Sequence, residues 1–280
     1  MGKIRLIALD LDGTALDGGG CLTPRTKRAV ESAIEGGIFV VVAIGRPYAA
    51  LPREVMEIKG IASAIVSNGA AAYDPATDER IYSLNLPADK VLGLLGILDA
   101  FPETMIEVYV EGTPFADAGY VDDPAAYGLS GRSVDYIRRT RTPVGDIRAF
   151  AYEHAQELDA FDIIVRGDAE RKLWRERVQG LGGIYITSST ANRLELSNEN
   201  GGKAAALRWT AHLLGVKPEE IIAFGNGEND VDMIRFAGTG YAVAGSDRAL
   251  IEAADKMAPS NAEDGVAVVL EGLESDGWMI

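Results

Sequence analysis

Residues 7–14 read Ile7-Ala8-Leu9-Asp10-Leu11-Asp12-Gly13-Thr14 and place two aspartates one residue apart. The apolar run from Ile4 to Leu9 is typical of a strand that is buried in a parallel sheet. Both aspartates follow this strand directly, and next comes a glycine, which lets the backbone approach a ligand closely. The stretch therefore predicts a buried strand whose carboxyl end carries a polar loop.

Paired carboxylates in such a loop suit chemistry at phosphorus. One carboxylate can attack a phosphorus atom while its neighbour protonates the leaving oxygen and later activates water. A cation must screen the repulsion between these carboxylates and a phosphate, and Mg²⁺ fits because it prefers oxygen ligands. An Asp-Gly pair after a strand is also a common turn. The stretch alone therefore leaves a turn without chemistry open.

Apolar runs alternate with helical patterns in the first and last thirds of the chain. This alternation predicts parallel strands covered by helices. The predicted strands are residues 4–9, 39–43, 62–66, 221–224 and 241–244. The predicted helices run from Thr23-Pro24 to Gly36-Gly37, from 203 to 214 and from 231 to 236. The predicted fold class is therefore α/β, with a Rossmann-like parallel-sheet core and helices on both faces.

A separate module interrupts this core from about Ile81. Its predicted elements are a helix at 88–101, a half-exposed strand at 105–110, mostly loop at 113–143, a strand at 161–165, a helix at 169–179 and strands at 184–187 and 193–196. The outer segments, residues 1–84 plus 190–280, are predicted to form one core domain. Residues 85–189 are predicted to form an inserted α/β domain.

The composition is that of an ordinary soluble globular protein, with 47% hydrophobic and 25% charged residues among 280. The formal net charge of −15 argues against nucleic acid as a partner, because such binding relies on clustered Lys and Arg. No apolar stretch approaches the length that spans a bilayer, so no membrane partner is expected. The single cysteine, Cys21, cannot form an intramolecular disulfide, which favours a reducing, cytoplasmic location.

Three loops of the core are candidates for a ligand site. In an open parallel sheet, ligands bind in the crevice at the carboxyl ends of the strands. That rule selects residues 10–14, 44–47 and 225–230. The first and third loops carry carboxylates, and the second carries Arg46.

Asp10-Leu11-Asp12-Gly13-Thr14 resembles the first motif of the haloacid dehalogenase superfamily, in which the first aspartate becomes a phosphoaspartate. Ser67-Asn68-Gly69-Ala70, Lys203 and Gly225-Asn226-Gly227-Glu228-Asn229-Asp230 are similar in order and spacing to its Cof-type subfamily. The resemblance covers nearly the whole chain, and motifs in register are stronger evidence than any one of them alone. It implies a HAD-like core with a C2-type α/β cap in residues 85–189 and hydrolysis of small phosphate esters.

The resemblance also implies roles for individual residues. Asp10 would be the nucleophile, Asp12 the acid/base, and Lys203 the cation that neutralises the nucleophile and the phosphate. The implied Mg²⁺ ligands are Asp10, Asp12 through its backbone carbonyl, Asn226 and Asp230. The implied phosphate- and substrate-binding residues are Gly13, Thr14, Ile44, Gly45, Arg46, Asn68, Lys203 and Asn229.

Two residues depart from the family pattern. Ile44 stands where the second motif usually has Thr or Ser, so a hydroxyl donor to the phosphate is lost, although the backbone N–H groups of Ile44 and Gly45 could still hold an oxygen. Asn226 stands where an aspartate usually ligates the metal, and its neutral amide removes one negative charge. Asn226 is either a natural residue or a substitution engineered to trap a bound state. Lower metal affinity and slower turnover are expected.

Several polar residues allow two interpretations. Arg46 would contact substrate or brace the crevice by pairing with a neighbouring acid. Asn68 would orient the site or simply make the turn. The stretch Arg138-Arg139-Thr140-Arg141 is typical of a solvated face, but within a cap it could also meet an anionic substrate.

The predicted function is that of a Mg²⁺-dependent phosphatase acting on small phosphomonoesters, with sugar phosphates as the substrate class that the resemblance implies. The reaction would pass through an aspartyl phosphate on Asp10, in a monomer or homodimer. One alternative is a catalytically impaired family member that binds a phosphorylated metabolite as a sensor or regulator, which Ile44 and Asn226 motivate. A phosphomutase is a further alternative, and it would need a bisphosphate intermediate.

Overall fold

The computed structural model describes residues 3–190, 192–275 and 277 of the protein. Contacts divide the chain into two compact units. The first unit comprises Met1–Arg46, Leu51–Tyr82 and Gly202–Ile280, and the second comprises Pro47–Ala50 and Ser83–Gly201. Residues 1, 2, 191, 276 and 278–280, which fall within the predicted core domain, lie outside the described residues.

The strands and helices of the described residues are numbered in chain order. The strands are β1 (Leu6–Leu9), β2 (Phe39–Ala43), β3 (Ile61–Val66), β4 (Ala71–Asp74), β5 (Glu79–Ser83), β6 (Ile106–Val110), β7 (Thr113–Asp117), β8 (Thr142–Val144), β9 (Leu158–Ile164), β10 (Ile184–Thr187), β11 (Arg193–Asn198), β12 (Ile221–Gly225), β13 (Thr239–Val243) and β14 (Lys256–Ala258). The helices are α1 (Pro24–Glu35), α2 (Arg53–Met56), α3 (Ala88–Leu98), α4 (Ala118–Asp122), α5 (Arg132–Thr140), α6 (Ile147–Glu153), α7 (Asp168–Gln179), α8 (Lys203–Leu213), α9 (Val231–Phe236), α10 (Arg248–Ala253) and α11 (Gly265–Ser275).

The first unit is built on a sheet with the strand order β14-β13-β12-β1-β2-β3-β4-β5. The strands from β14 to β3 run parallel, whereas β4 runs antiparallel to β3. Strands β1 and β12 are buried along their whole length, as continuous apolar runs predict. The carboxyl ends of β12, β1, β2 and β3 therefore lie side by side at one edge of the sheet.

Local signals in the sequence set the bounds of α1. Thr23 caps the helix by accepting a hydrogen bond from the backbone N–H of Thr26, and Pro24 occupies the first position. Apolar side chains of α8, α9 and α10, including Leu207 and Met233, pack in one cluster with the sheet. The predicted α/β class with a parallel-sheet core covered by helices is thus confirmed. Among the described helices, none is both long and apolar enough to cross a bilayer.

The second unit has its own sheet, with the strand order β10-β11-β9-β6-β7-β8. Helices α3, α6 and α7 pack on this sheet through a cluster that includes Leu98, Ala151 and Trp174. Strand β11 pairs with both β9 and β10, so this unit extends to Gly201, beyond the predicted boundary at residue 189. The assignment of the inserted domain as a cap stays a prediction.

Residues 113–143 were expected to be mostly loop, and this prediction was wrong. The segment contains β7, α4, α5 and β8. Each element is short, and prolines stand inside both strands at Pro114 and Pro143, so no periodic pattern runs far enough to indicate an element. Strand β8 is an edge strand, where a proline is tolerated.

Strand β6 was expected to be half-exposed because its residues alternate between apolar and polar, but it is almost entirely buried. The polar side chains of β6 are buried because they pair with other polar side chains. Together they form a buried charge cluster centred on Glu107, whose members are Glu107, Tyr109, Arg141, Asp162 and Arg193. Glu107 Oε2 accepts hydrogen bonds from Arg141 Nη2 at 2.7 Å and from Arg193 Nη1 at 2.6 Å. Asp162 Oδ2 accepts from the Tyr109 hydroxyl at 2.7 Å.

Arg141 also corrects an expectation. The arginine-rich stretch was expected to be a solvated face, yet Arg141 is buried and its guanidinium is paired with Glu107. Neighbouring Arg138 is exposed and donates to the backbone carbonyl of Asp122, as a surface arginine can. The sequence could not distinguish the two arginines because the partner of Arg141 is Glu107 on strand β6, which lies 34 positions away in the chain.

We expect Glu107→Gln to lower stability at neutral pH and to flatten the acid dependence of unfolding. Burial would raise the pKa of Glu107, but Arg141 and Arg193 more than offset this effect and lower it to about 2. The pKa in the folded protein lies below the ordinary value, so the stabilisation is present above about pH 4.5 and is lost as the pH falls toward 2. The full contribution is about 3 kcal/mol.

Urea unfolding of the native protein and of Glu107→Gln between pH 6 and pH 3 measures this effect. Glu153→Gln, at an exposed position of α6, is the matched control and should follow the native curve. A native-like acid slope in Glu107→Gln would contradict the assignment of the pKa shift to this cluster.

Candidate active site

The candidate site lies in the first unit, at the carboxyl edge of the sheet. Asp10 directly follows β1, and its backbone N–H donates to the carbonyl of Phe224 in β12 at 3.0 Å. Lys203 is the first residue of α8, and Asp230 ends the turn that follows β12. The fold thus brings Lys203 to Asp10, although the two residues lie 193 positions apart in the chain.

Asp10, Lys203 and Asp230 form a buried ion triad. The Lys203 ammonium donates to Asp10 Oδ1 at 2.7 Å and to Asp230 Oδ1 at 2.6 Å. All three residues are at most 3% exposed. The predicted pairing of Lys203 with Asp10 is present, and Lys203 is buried.

Burial and neighbouring charges shift the pKa values within the triad. Burial, together with the negative charge of Asp230, raises the pKa of Asp10 to about 7, and Lys203 opposes this shift. Burial alone would lower the pKa of Lys203, but the charges of Asp10 and Asp230 raise it above its ordinary value. The ammonium therefore stays charged between the two carboxyl groups.

Asp230 also holds the loop that carries Asn226. Its Oδ2 accepts hydrogen bonds from the backbone N–H groups of Asn226 at 2.9 Å and Gly227 at 3.0 Å. Because Asp230 Oδ1 accepts a hydrogen bond from Lys203, both oxygens of Asp230 have partners within the protein. Asp230 therefore anchors the loop and the lysine, and its role as a metal ligand stays a prediction.

The remaining donor atoms fit a small divalent cation. Asp10 Oδ2 is buried without a hydrogen-bond partner in the described part of the chain. The side chain of Asn226 lies against Gly13, where a Cβ would collide with the Asn226 amide. Buried polar atoms are rarely left without a partner, and carboxylate and amide oxygens are both ligands that Mg²⁺ takes. Within the described residues no three His, Cys, Asp or Glu side chains cluster as metal ligands, so such a site relies on Asn226 and on backbone oxygen.

Arg46 pairs with the second aspartate of the motif. Its Nε donates to Asp12 Oδ2 at 2.8 Å, and its Nη2 donates to Asp12 Oδ1. Of the two interpretations of Arg46, the structure contains the pairing with a neighbouring acid. The Asp12 side chain remains 45% exposed, so it can still reach solvent or a ligand.

Ile44 corrects part of the predicted phosphate site. Its side chain is 1% exposed, and its backbone N–H donates to the carbonyl of Ile65 at 2.9 Å within the sheet. This N–H is therefore already paired and cannot be the donor that was expected. Gly45 is half-buried, and its predicted role in holding a phosphate oxygen stays a prediction.

The turn after β3 joins the site through Asn68. Its Oδ1 accepts a hydrogen bond from Asn229 Nδ2 at 2.9 Å, and both residues are buried. Asn68 thus makes the turn and also ties it to the loop after β12. The sequence prediction quoted Ser67 within its motif but gave it no role. Ser67 is buried, and its hydroxyl, like that of Thr14, has no hydrogen-bond partner among the described residues. Its place at the end of a core strand was the signal that could have indicated it.

Known proteins resemble the chain over nearly its full length. A family model described as haloacid dehalogenase-like hydrolase matches residues 7–270. The 5-amino-6-(5-phospho-D-ribitylamino)uracil phosphatase of Bacillus subtilis is 28% identical over 284 residues, which cover 96% of this chain and 97% of that protein. The pyridoxal phosphate phosphatase of Escherichia coli is 25% identical over 268 residues, which cover 94% of this chain and 96% of that protein.

A solved structure is also similar to the chain over nearly its full length. The crystal structure of a haloacid dehalogenase-like hydrolase from Bacteroides thetaiotaomicron matches with a TM-score of 0.77 and 26% identity, covering 97% of this chain and 100% of that one. The phosphatase relatives confirm the predicted enzyme class, a phosphoric monoester hydrolase. With its motif residues assembled at one edge of the sheet and the family model matched over residues 7–270, the chain belongs to the haloacid dehalogenase-like hydrolase family.

Proposed function

We propose that this protein is a Mg²⁺-dependent phosphatase that hydrolyses small phosphomonoesters through an aspartyl phosphate on Asp10. The observation that carries the proposal is the state of the Asp10 carboxylate. One of its oxygens is held by Lys203 at 2.7 Å, while the other is buried and has no hydrogen-bond partner among the described residues. A buried carboxylate with fixed orientation and a free oxygen is suited to nucleophilic attack.

In the first half of the reaction, Asp10 attacks the phosphorus atom and the bond to the ester oxygen breaks. Asp12 gives its proton to that oxygen, and an alcohol leaves. In the second half, Asp12 takes a proton from water, which attacks the phosphorus of the aspartyl phosphate and releases inorganic phosphate and Asp10. Because both Asp12 oxygens accept from Arg46 in this structure, Asp12 must exchange that partner before it acts.

Lys203 supports both halves of the reaction. Its ammonium forms one ion pair with Asp10, the proposed nucleophile, and a second with Asp230, which holds it in place. A fixed positive charge in a buried site lowers the cost of bringing a phosphate dianion to a carboxylate.

We assign the Mg²⁺ site to the Asp10 carboxylate, the backbone carbonyl of Asp12 and the amide oxygen of Asn226. The ion would supply positive charge that offsets the repulsion between carboxylates and phosphate. Asp230, whose oxygens are both paired, would contribute by holding the Asn226 loop.

Sugar phosphates are the substrate class that we favour. The name of the Bacillus subtilis relative places its phosphate on a ribityl chain, whereas that of the Escherichia coli relative names pyridoxal phosphate. Relatives of similar identity thus differ in the group that carries the phosphate. The cytoplasmic location and the cap role of residues 85–189 stay predictions.

Release of inorganic phosphate from an aryl phosphate and from a panel of sugar phosphates, with and without Mg²⁺, tests the proposed function. We expect turnover that requires Mg²⁺ and stops on addition of a chelator. Turnover of every ester without a divalent cation would contradict the metal part of the proposal.

Asn226→Asp is expected to lower the Mg²⁺ concentration at half-maximal turnover about tenfold, because a carboxylate replaces a neutral amide beside the ion. Titration of turnover with Mg²⁺ measures the change. Ala76→Asp, which adds the same charge on an exposed turn, is the control and should leave the midpoint unchanged. If the native protein is inert and Asn226→Asp is active, the alternative of an impaired, ligand-binding family member is favoured.

A further inference from the structure

Ser67 carries a buried hydroxyl close to the carboxyl end of β3. The residue is 3% exposed, and its Oγ makes no hydrogen bond to any described residue. Ser63 in β3 shares both properties, so an unpartnered hydroxyl is not by itself a sign of function. The two serines differ in position, because Ser63 lies inside the strand whereas Ser67 follows its carboxyl end at the edge that holds Asp10.

The backbone around Ser67 is held in a conformation that L-residues avoid. Ser67, Asn68 and Gly69 have successive φ angles of 48°, 52° and 89°. Such a run persists where surrounding contacts determine it, and it concentrates at ligand sites. A Cβ on Gly69 would collide with the carbonyl of Gly202, so glycine lets the turn lie against the start of α8, where Lys203 stands.

Hydrogen bonds tie this turn to loops on both sides of Asp10. The backbone N–H of Ser67 donates to the carbonyl of Arg46 at 2.9 Å, and the N–H of Asn68 donates to that of Ile44 at 3.2 Å. On the other side, Asn229 Nδ2 donates to Asn68 Oδ1. These residues follow β12 and β3, and β1 and β2 lie between those two strands in the sheet. The two bonded loops therefore lie on either side of β1, the strand that Asp10 directly follows.

A phosphoryl oxygen bound at this edge of the sheet would give the Ser67 hydroxyl a partner. The neighbouring strand end carries Ile44, whose side chain is apolar and whose N–H is already paired with Ile65. A hydroxyl can donate to an anionic oxygen, and a buried hydroxyl beside a phosphate site costs free energy until it does so. We propose that the Ser67 hydroxyl donates a hydrogen bond to the phosphoryl group bound at Asp10, an inference that rests on the proposed function.

Kinetics of serine variants on an aryl phosphate test this inference. In Ser67→Ala and Ser67→Gly we expect kcat/KM to fall about 10- to 100-fold and the inhibition constant of inorganic phosphate to rise. Glycine adopts positive φ without strain, so Ser67→Gly removes the hydroxyl and keeps the turn. Ser63→Ala is the matched control, and its constants should stay within about twofold of native values.

Each outcome decides the inference. A loss shared by Ser67→Ala and Ser67→Gly but absent from Ser63→Ala supports the hydrogen bond, whereas native constants in Ser67→Gly overturn it and leave the phosphatase assignment intact. If the native protein shows no turnover, calorimetric binding of inorganic phosphate with Mg²⁺ replaces the kinetics. Weaker binding by Ser67→Gly then supports the inference, and equal or undetectable binding by both proteins overturns it.

Discussion

Asp10→Asn is expected to abolish phosphatase turnover, lowering kcat at least about 10⁴-fold. The amide cannot form the aspartyl phosphate, and both oxygens of the neighbouring Asp230 are already paired within the protein. The protein should remain folded, since Lys203 keeps Asp230 as its partner. Phosphate release under saturating substrate measures the change, and thermal unfolding verifies the fold.

The control for this variant is Asp232→Asn, at an exposed position of α9. It makes the same chemical change outside the site and should keep turnover within about twofold of native. Native-like turnover in Asp10→Asn would exclude Asp10 as the nucleophile, provided that mass spectrometry shows no deamidation of the introduced asparagine back to aspartate. Acid-quenched labelling then provides a second measure, because a phosphorylated enzyme should form in the native protein and not in Asp10→Asn.

The sequence predicted several strands and helices of the first unit closely. Strand β2 and helix α9 were predicted with the bounds that they have, and α1 was fixed by its cap and its terminal glycines. The elements missed were short, such as α4 and β8, or lay beyond the last predicted strand, such as α11. The formation of α4 and β8 depends on tertiary packing, which outweighs local preference in segments of a few residues.

In the site, the sequence indicated which residues take part but not how they are paired. Motif order brought Asp10, Lys203 and Asp230 into one hypothesis, and the structure joins them in a buried ion triad. The N–H of Ile44 could not be assigned from sequence because its partner, Ile65, belongs to the next strand. The motif that contains Ser67 gave its hydroxyl no role, because the partners of a buried hydroxyl depend on the fold.

Lys203→Met is expected to lower the free energy of unfolding by about 3–5 kcal/mol at neutral pH and to abolish turnover. Lys203 is 1% exposed and is the cation between Asp10 and Asp230, so its removal leaves two buried acids without their shared partner. Those acids must bind protons or stay charged in a poorly solvated site, and both outcomes cost stability. Urea unfolding at pH 7 measures the loss. Lys59→Met, at an exposed lysine of the same unit, should change stability by less than about 0.5 kcal/mol.

A triple variant separates the two consequences of losing the lysine. Lys203→Met combined with Asp10→Asn and Asp230→Asn removes the unpaired charges, while an amide oxygen at position 230 can still accept from the backbone of the Asn226 loop. Stability should therefore recover most of what Lys203→Met loses, although turnover stays absent because the nucleophile is gone. If Lys203→Met is as stable as the native protein, the triad is not buried as described. If the triple variant is no more stable than Lys203→Met, the loss comes from the packing of the lysine side chain and not from its charge.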